Sequence, residues 1–331
     1  MLSGGDRERL FEAGRQRVVE AGEEVARQGS VGNCLFVVAE GELSVVRCLP
    51  GDDEQVLRTA KPGTMVGELS VLDGGARSAS LRATHRSVLR EIGVGAFEAV
   101  TLHGGEAGHR ILRGVAASVH ERLKMTRSIS AAGVAARIKP LPIGASLDWS
   151  APTAEAVGVL GLLPAFVNLD ASDWKAMIPH AGIVDVDRGA NLVLPETSSP
   201  GVVIVLRGTL SPWLDDGSGP EVTMPAIGPG GFVDYAAALG LEAERRRWRA
   251  RSPTKLLRLD PVCFETGAVW ATRLLYALSR DLATTLRRST GLFMHFRMAW
   301  VQSAAGPEQE RERHRKRFAR DVADRSPPAP S

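Results

Sequence analysis

Phe36-Val37-Val38-Ala39-Glu40-Gly41-Glu42-Leu43 and Val203-Ile204-Val205-Leu206-Arg207-Gly208-Thr209-Leu210 are one pattern written twice. Each is an apolar, largely β-branched run that stops at a glycine and resumes at a leucine, which reads as two short strands meeting at a turn. The correspondence extends outward without a gap: residues 22–98 superimpose on 189–265 at a constant shift of 167. Gly22 meets Gly189, Pro62-Gly63 meets Pro229-Gly230, Arg82-Ala83 meets Arg249-Ala250, Leu89 meets Leu256, and Phe97-Glu98 meets Phe264-Glu265. Shared glycines and prolines mark shared turns, and shared apolar positions mark a shared core. The chain is a tandem duplication.

Within each repeat, short Val-, Leu- and Ile-rich segments alternate with Gly or Pro at intervals of about 8–12 residues, the pattern of a sandwich or barrel of short strands. The first copy predicts strands near Gln16–Val19, Glu24–Arg27, Cys34–Ala39, Glu42–Arg47, Gln55–Thr59, Ser80–Ala83 and Ser87–Ile92. Helical spacing follows each barrel, from Glu106 to about Ile129 and from Ala268 to about Val301. The prolines of Ile138-Lys139-Pro140-Leu141-Pro142-Ile143-Gly144 end any helix and predict a linker. These signals divide the chain into a first domain over 1–130, a linker over 131–158, a second domain over 159–304 and a charged tail over 305–331. The opening helix of the first barrel is expected to be shorter than that of the second, from Leu162 to Met177.

The 331 residues are 44% hydrophobic and carry 41 basic and 38 acidic side chains, for a net charge of +3. No chain-wide field calls for nucleic acid. No apolar run approaches the roughly 20 residues of a membrane helix, and the charged start lacks a signal-peptide core. Three scattered cysteines, Cys34, Cys48 and Cys263, make neither a zinc set nor a disulfide framework, so a reducing cytoplasm is expected. The seven histidines show no metal-ligand spacing and no nucleophile beside them, and no catalytic constellation is found.

One segment carries chemistry: Lys61 to Thr84, KPGTMVGELSVLDGGARSASLRAT. Arg77 offers a planar fork that can bond an anion's two oxygens and stays charged. Leu69 to Leu72 can form a helical turn opening after Gly67, where free N–H groups face an anion and the missing Cβ allows close approach. Gly67-Glu68-Leu69-Ser70, six further residues and Arg77-Ser78-Ala79 resemble the phosphate-binding cassette of the cyclic nucleotide-binding domain family, shared by the bacterial catabolite activator protein and the regulatory subunits of cyclic-AMP-dependent protein kinase. The resemblance runs from about Val18 through Gly41 and Pro62-Gly63 to Ile92. It implies two tandem cyclic-nucleotide-binding jelly-roll β-barrels, mainly β with flanking helices, each followed by a long helix. It implies a site of Gly67, Glu68, Leu69, Ser70, Arg77, Ser78 and Ala79, with Arg77 on the phosphate and Glu68 accepting from the ribose 2′-hydroxyl. Ser78 resembles the cyclic-AMP type more than the cyclic-GMP type. Thr126 on the long helix falls where the family contacts the base, while its neighbour Arg127 departs from the pattern.

At the same shift, Gly67 becomes Asp234, Glu68 becomes Tyr235, Arg77 becomes Glu244, Ser78 becomes Arg245 and Ala79 becomes Arg246. An acid stands where a phosphate should sit and the obligatory cation is reversed, so the second barrel is expected to bind no cyclic nucleotide, with Tyr235 filling the ribose pocket. All six tryptophans and both tyrosines lie at or beyond residue 149, a distribution read as core more than as interface. Arg245 to Arg251 reads as a solvated strand edge. Residues 308–325 carry seven basic and five acidic side chains, closer to a salt-bridged helix than a DNA arm. Arg287-Arg288-Ser289-Thr290 matches a basic-directed kinase site inside a helical pattern.

The sequence thus predicts a cytoplasmic, non-enzymatic sensor needing no cofactor. Its ligand is cyclic AMP, read out by helix rearrangement to a homodimer partner or a protein effector, with DNA unlikely and no membrane span. An adaptor that uses the fold for protein binding without nucleotide, and a transcription regulator lacking a visible helix-turn-helix, are the alternative readings.

Overall fold

In a computed structural model, the described residues are 4–48, 54–131, 147–153, 159–163, 166, 169–194, 201–212, 226–241, 246–265 and 267–303. The first repeat runs α1 (Gly4–Ala13), β1 (Arg15–Val19), β2 (Glu24–Ala26), β3 (Cys34–Glu40), β4 (Leu43–Cys48), β5 (Glu54–Ala60), β6 (Met65–Val66), α2 (Glu68–Asp73), β7 (Ser80–Ala83), β8 (Ser87–Gly93), α3 (Val94–Leu102) and α4 (Gly105–Ala131). All seven expected strands are present. The two-residue β6 and the helix α3 were not foreseen, because two residues show no period and α3 carries Gly95 among β-branched neighbours.

The second repeat holds α5 (Ala171–Met177), β9 (Ala181–Val186), β10 (Asn191–Leu194), β11 (Val202–Arg207), β12 (Leu210–Pro212), β13 (Phe232–Asp234), β14 (Arg246–Ala250), β15 (Thr254–Leu259) and α6 (Val269–Ser303). The expected order of opening helices is reversed, since α1 has ten residues and α5 seven. Asp170 is the reason: its side chain accepts from the Ser172 and Asp173 N–H groups in a capping box, which starts the helix at Ala171 instead of Leu162.

Among the described residues, every strand of the second barrel has a counterpart in the first. One sheet has the order β1-β8-β3-β6 and its counterpart β9-β15-β11-β13; the other has β2-β7-β4-β5, matched by β10-β14-β12. The register irregularity between Val38 and Glu40 against β8 recurs between Val205 and Arg207 against β15. Each barrel encloses its own core, around Phe36, Val38, Leu43 and Leu89 in the first and Val203, Val205, Leu210 and Leu256 in the second. Trp174 and Trp248 are buried, as are Tyr235 and Tyr276, so these aromatics are core. On β14, Trp248 faces inward while Arg247 and Arg249 are half-buried.

Residues Met1–Ser289 form one compact unit and Thr290–Ser331 a second. Within the first unit a third core joins the repeats. Ile111, Leu112, Val115, Val119 and Leu123 give α4 one apolar stripe at helical spacing, and Leu274, Leu275, Leu278, Leu282 and Leu286 give α6 another; Phe97, Phe166, Phe232 and Phe264 complete it. The polar contacts across it fall at neighbouring positions of the two repeats. His109 on α4 reaches the Phe264 carbonyl at 2.7 Å, and its counterpart Tyr276 on α6 donates to Glu98 at 3.0 Å. Each repeat thus offers the other the same patch, as in a two-fold dimer interface. Among the described residues, no helix is long and apolar enough to cross a membrane, and no group of three or more His, Cys, Asp or Glu could hold a metal.

Gly41 and Gly208 sit at φ 80° and 86°, and an added Cβ would lie 2.7 Å from Ser87 Cα and Thr254 Cα respectively. Gly41→Ala and Gly208→Ala should each destabilise the protein by at least about 1–3 kcal/mol. Urea unfolding checks this; a variant with an unchanged midpoint would refute the shared-turn reading at that position.

Candidate functional site

The cassette is the connection from β6 to β7. Gly67 leaves β6 at φ 82° and Gly74 ends α2 at φ 69°, its N–H bonding the Ser70 carbonyl at 3.0 Å. Only glycine takes these angles without strain, so the segment folds as a tight single helical turn between two left-handed residues. Leu69 packs into the third core, which leaves only its backbone for a ligand. Ser70 and Ala79 are buried and Ser78 is half-buried.

Arg77 is 6% exposed. Its Nη1 donates to the Gly67 carbonyl at 3.0 Å, its Nη2 reaches the Cys34 sulfur at 3.3 Å, and its Cζ lies 5.6 Å from the centre of the Phe36 ring. Gly67 makes room for it, since a Cβ there would lie 2.5 Å from Nη1. Burial pushes the Cys34 thiol up, against the pull of Arg77, so the sulfur stays neutral and does not balance the guanidinium. Among the described residues Arg77 forms no ion pair. A buried cation held by a carbonyl, a thiol and a ring face retains its full demand for an anion.

Glu68 opens α2, nine residues before Arg77, and is 4% exposed. Its Oε1 accepts from Arg122 of α4, a residue one quarter exposed. Burial pushes its carboxyl up, but the Arg122 and Arg58 charges outweigh burial and hold it below the ordinary carboxylate range. Glu68 Oε2 is buried without a hydrogen-bond partner, an open acceptor in the same loop as Arg77. Arg47 of β4 donates to the Ser78 carbonyl at 3.1 Å, and burial first, then the Arg287 charge, lowers its pKa. A cluster of Arg47, Arg58, Arg77, Arg122 and Arg287 therefore surrounds a segment whose compensating acids are Glu68 and Asp73.

The sequence brings Gly67, Glu68, Ser70, Arg77, Ser78 and Ala79 together here. Arg122, Arg58 and Arg287 were missed, because they come from distant elements and no local motif marks them. The Thr126 side chain lies outside the described residues. In the second repeat Tyr235 is buried, but its hydroxyl turns to His120 Nδ1 at 3.3 Å. Asp234 is buried as well; Glu244 and Arg245 lie outside the described residues.

Residues 16–103 match the family model of the cyclic nucleotide-binding domain. The first barrel is a member of that family. An uncharacterized ABC transporter ATP-binding protein of Mycobacterium tuberculosis is 43% identical over 65 residues, 20% of this chain and 20% of its own. The cyclic AMP receptor protein of Thermus thermophilus is 36% identical over 75 residues, 23% of this chain and 35% of its own. The match thus spans a fifth to a third of these relatives' length. Among solved structures, the regulatory domain of Toxoplasma gondii PKA with cAMP aligns over 80% of this chain and 84% of its own, at 19% identity and a TM-score of 0.28. The catabolite activator protein of Thermus thermophilus aligns over 40% and 61%, at 25% identity and a TM-score of 0.36.

Arg122→Ala leaves the buried Glu68 carboxylate facing Arg58 alone, and should destabilise the protein by about 3 kcal/mol at neutral pH. Because the Glu68 carboxyl is held low, its contribution is complete above its ordinary value of about 4.3 and is lost as pH falls through the folded value. Urea midpoints at pH 6 and pH 3.5 should fall less for Glu68→Gln than for the wild type. Equal falls would contradict the assignment.

Proposed function

We propose that this protein is a non-enzymatic sensor whose first barrel takes cyclic AMP. The observation that carries the reading is one loop that holds both a buried Arg77 guanidinium without an ion pair and the open Glu68 Oε2 acceptor. A cyclic phosphate is a monoanion with two exocyclic oxygens, which answers the unmet charge of Arg77, and a ribose hydroxyl is a donor, which answers Glu68. Gly67, the backbone of Leu69 and Ser70, Ser78 and Ala79 line the phosphate side in this reading, and Ser78 favours cyclic AMP over cyclic GMP by resemblance. Two or three charge-assisted hydrogen bonds at about 1.5–3 kcal/mol each, with burial of the base, suffice for micromolar binding.

The readout follows from Arg122. It belongs to α4 and holds the carboxylate that would receive the ribose, so a ligand that donates to Glu68 acts directly on the helix. That helix carries the apolar stripe of the third core, and a shift in it is passed to the second repeat through differential affinity for two arrangements. The proposed organisation is a binding domain over 1–130, a linker over 131–158, a second barrel over 159–304 without a nucleotide site, and a tail over 305–331. Pro140 and Pro142 of the linker lie outside the described residues. The output is assigned to a homodimer partner or a protein effector in the cytoplasm.

A thermal melt of the full chain tests the reading. Cyclic AMP at 100 times its dissociation constant adds about 2.7 kcal/mol to the native state, which raises the midpoint of a chain of this length by roughly 4 °C. The shift should be smaller with cyclic GMP at equal concentration and absent in Arg77→Glu. No shift with either nucleotide would overturn the proposal.

A further inference from the structure

The second repeat has lost every position that would hold a nucleotide, yet one of its side chains reaches into the first site. Arg287 lies on α6, with its side chain 23% exposed, and faces the loop that leads from α2 to Arg77. Its Nε and Nη2 bond both oxygens of Asp73, whose side chain is 6% exposed, and Nη1 donates to the carbonyl of Ala76. Nη2 also lies 3.5 Å from Ser70 Oγ. The guanidinium lies flat on Gly75, where an added Cβ would stand 3.0 Å from Cζ, and Asp73 Oδ1 accepts from the Gly75 N–H at 2.9 Å. One side chain thus ties the end of α2 to the residue immediately before Arg77.

The other half of that grip comes from within the first barrel. Arg47 takes the carbonyl of Ser78, immediately after Arg77. The backbone of Arg77 itself pairs with Ser30 and Gly29, its N–H donating at 2.8 Å and its carbonyl accepting at 2.9 Å. Arg77 is therefore fixed at both flanking carbonyls, by one arginine of its own repeat and one of the other. The arrangement is reciprocal in position. Arg287 corresponds, at the shift of 167, to His120, and His120 meets Tyr235, which stands where the second repeat should carry the ribose-binding glutamate. Each long helix lays the same position on the other repeat's cassette.

We infer that Arg287, a residue of the second repeat, is a positioning residue of the nucleotide site in the first. The inference rests on the cyclic nucleotide reading of that site. Its physical content is pre-organisation: a loop already fixed in the bound geometry spends no free energy on ordering when the anion arrives. The Arg287 charge is balanced by Asp73, so the pair acts through the loop's geometry. The run Arg287-Arg288-Ser289-Thr290, which reads in isolation as a kinase site, accordingly has its first arginine engaged by Asp73 and Ala76.

The test is calorimetric titration of the full chain with cyclic AMP, using the wild type, Arg287→Ala, Asp73→Ala, the double variant and Arg287→Lys. Each alanine variant should bind about tenfold more weakly, and the double variant also about tenfold, because the two residues act as one contact. Arg287→Lys keeps the charge and loses the fork, and should fall between the wild type and Arg287→Ala. An Arg287→Ala affinity within twofold of wild type would overturn the inference while leaving the nucleotide site standing. A hundredfold loss in the double variant would overturn it too, since independent effects add. No binding by the folded wild type would remove the nucleotide reading itself, and this inference with it.

Discussion

A guanidinium buried without a carboxylate is the constraint around which this protein is arranged. Burying a charge costs several kcal/mol unless something answers it, and Arg77 is given only a carbonyl, a thiol and the face of Phe36. The local structure supplies what that placement needs. Gly67 turns left-handed and leaves the volume that Nη1 fills, the neutral Cys34 thiol accepts without discharging the cation, and Ser30 and Gly29 hold the main chain. Glu68, the acid next in line, is engaged on one oxygen by Arg122 and leaves the other open. One loop thus carries a cation and an acceptor each short of a partner.

Most of the fold is legible in the sequence because a duplication reports on itself. Positions that keep glycine, proline or an apolar side chain in both copies are under the same geometric demand, and β1 to β5, β7 and β8 fall where the strand pattern puts them. The bulge shared by β3 and β11 shows how far this goes, since it survives in a repeat whose cassette chemistry is gone. It therefore serves the bend of the barrel and not the ligand. What the pattern hides is whatever has no period: the two residues of β6, the glycine-containing α3, and the Asp170 cap that sets where α5 begins.

The site divides in the same way. Gly67, Glu68 and Arg77 are readable because a short loop carries them at fixed spacing. Arg122 and Arg287 are not, since each is one arginine among many on a long helix, and only packing reveals that one rests on Glu68 and the other on Asp73. Charge counts along the chain cannot find such residues. They lie on the helices of the third core, whose apolar stripes on α4 and α6 set the helices at the height that brings those two arginines to the cassette.

That third core also sets an order of events. Asp73 precedes Arg287 by 214 residues. At a ribosomal rate of about 5–20 residues per second, the two emerge on the order of 10–40 s apart. A newly made first barrel can close its sheets from its own residues well before α6 exists, but the brace in front of Arg77 waits for the end of the second repeat. Completion of this cassette thereby reports that both repeats have been made.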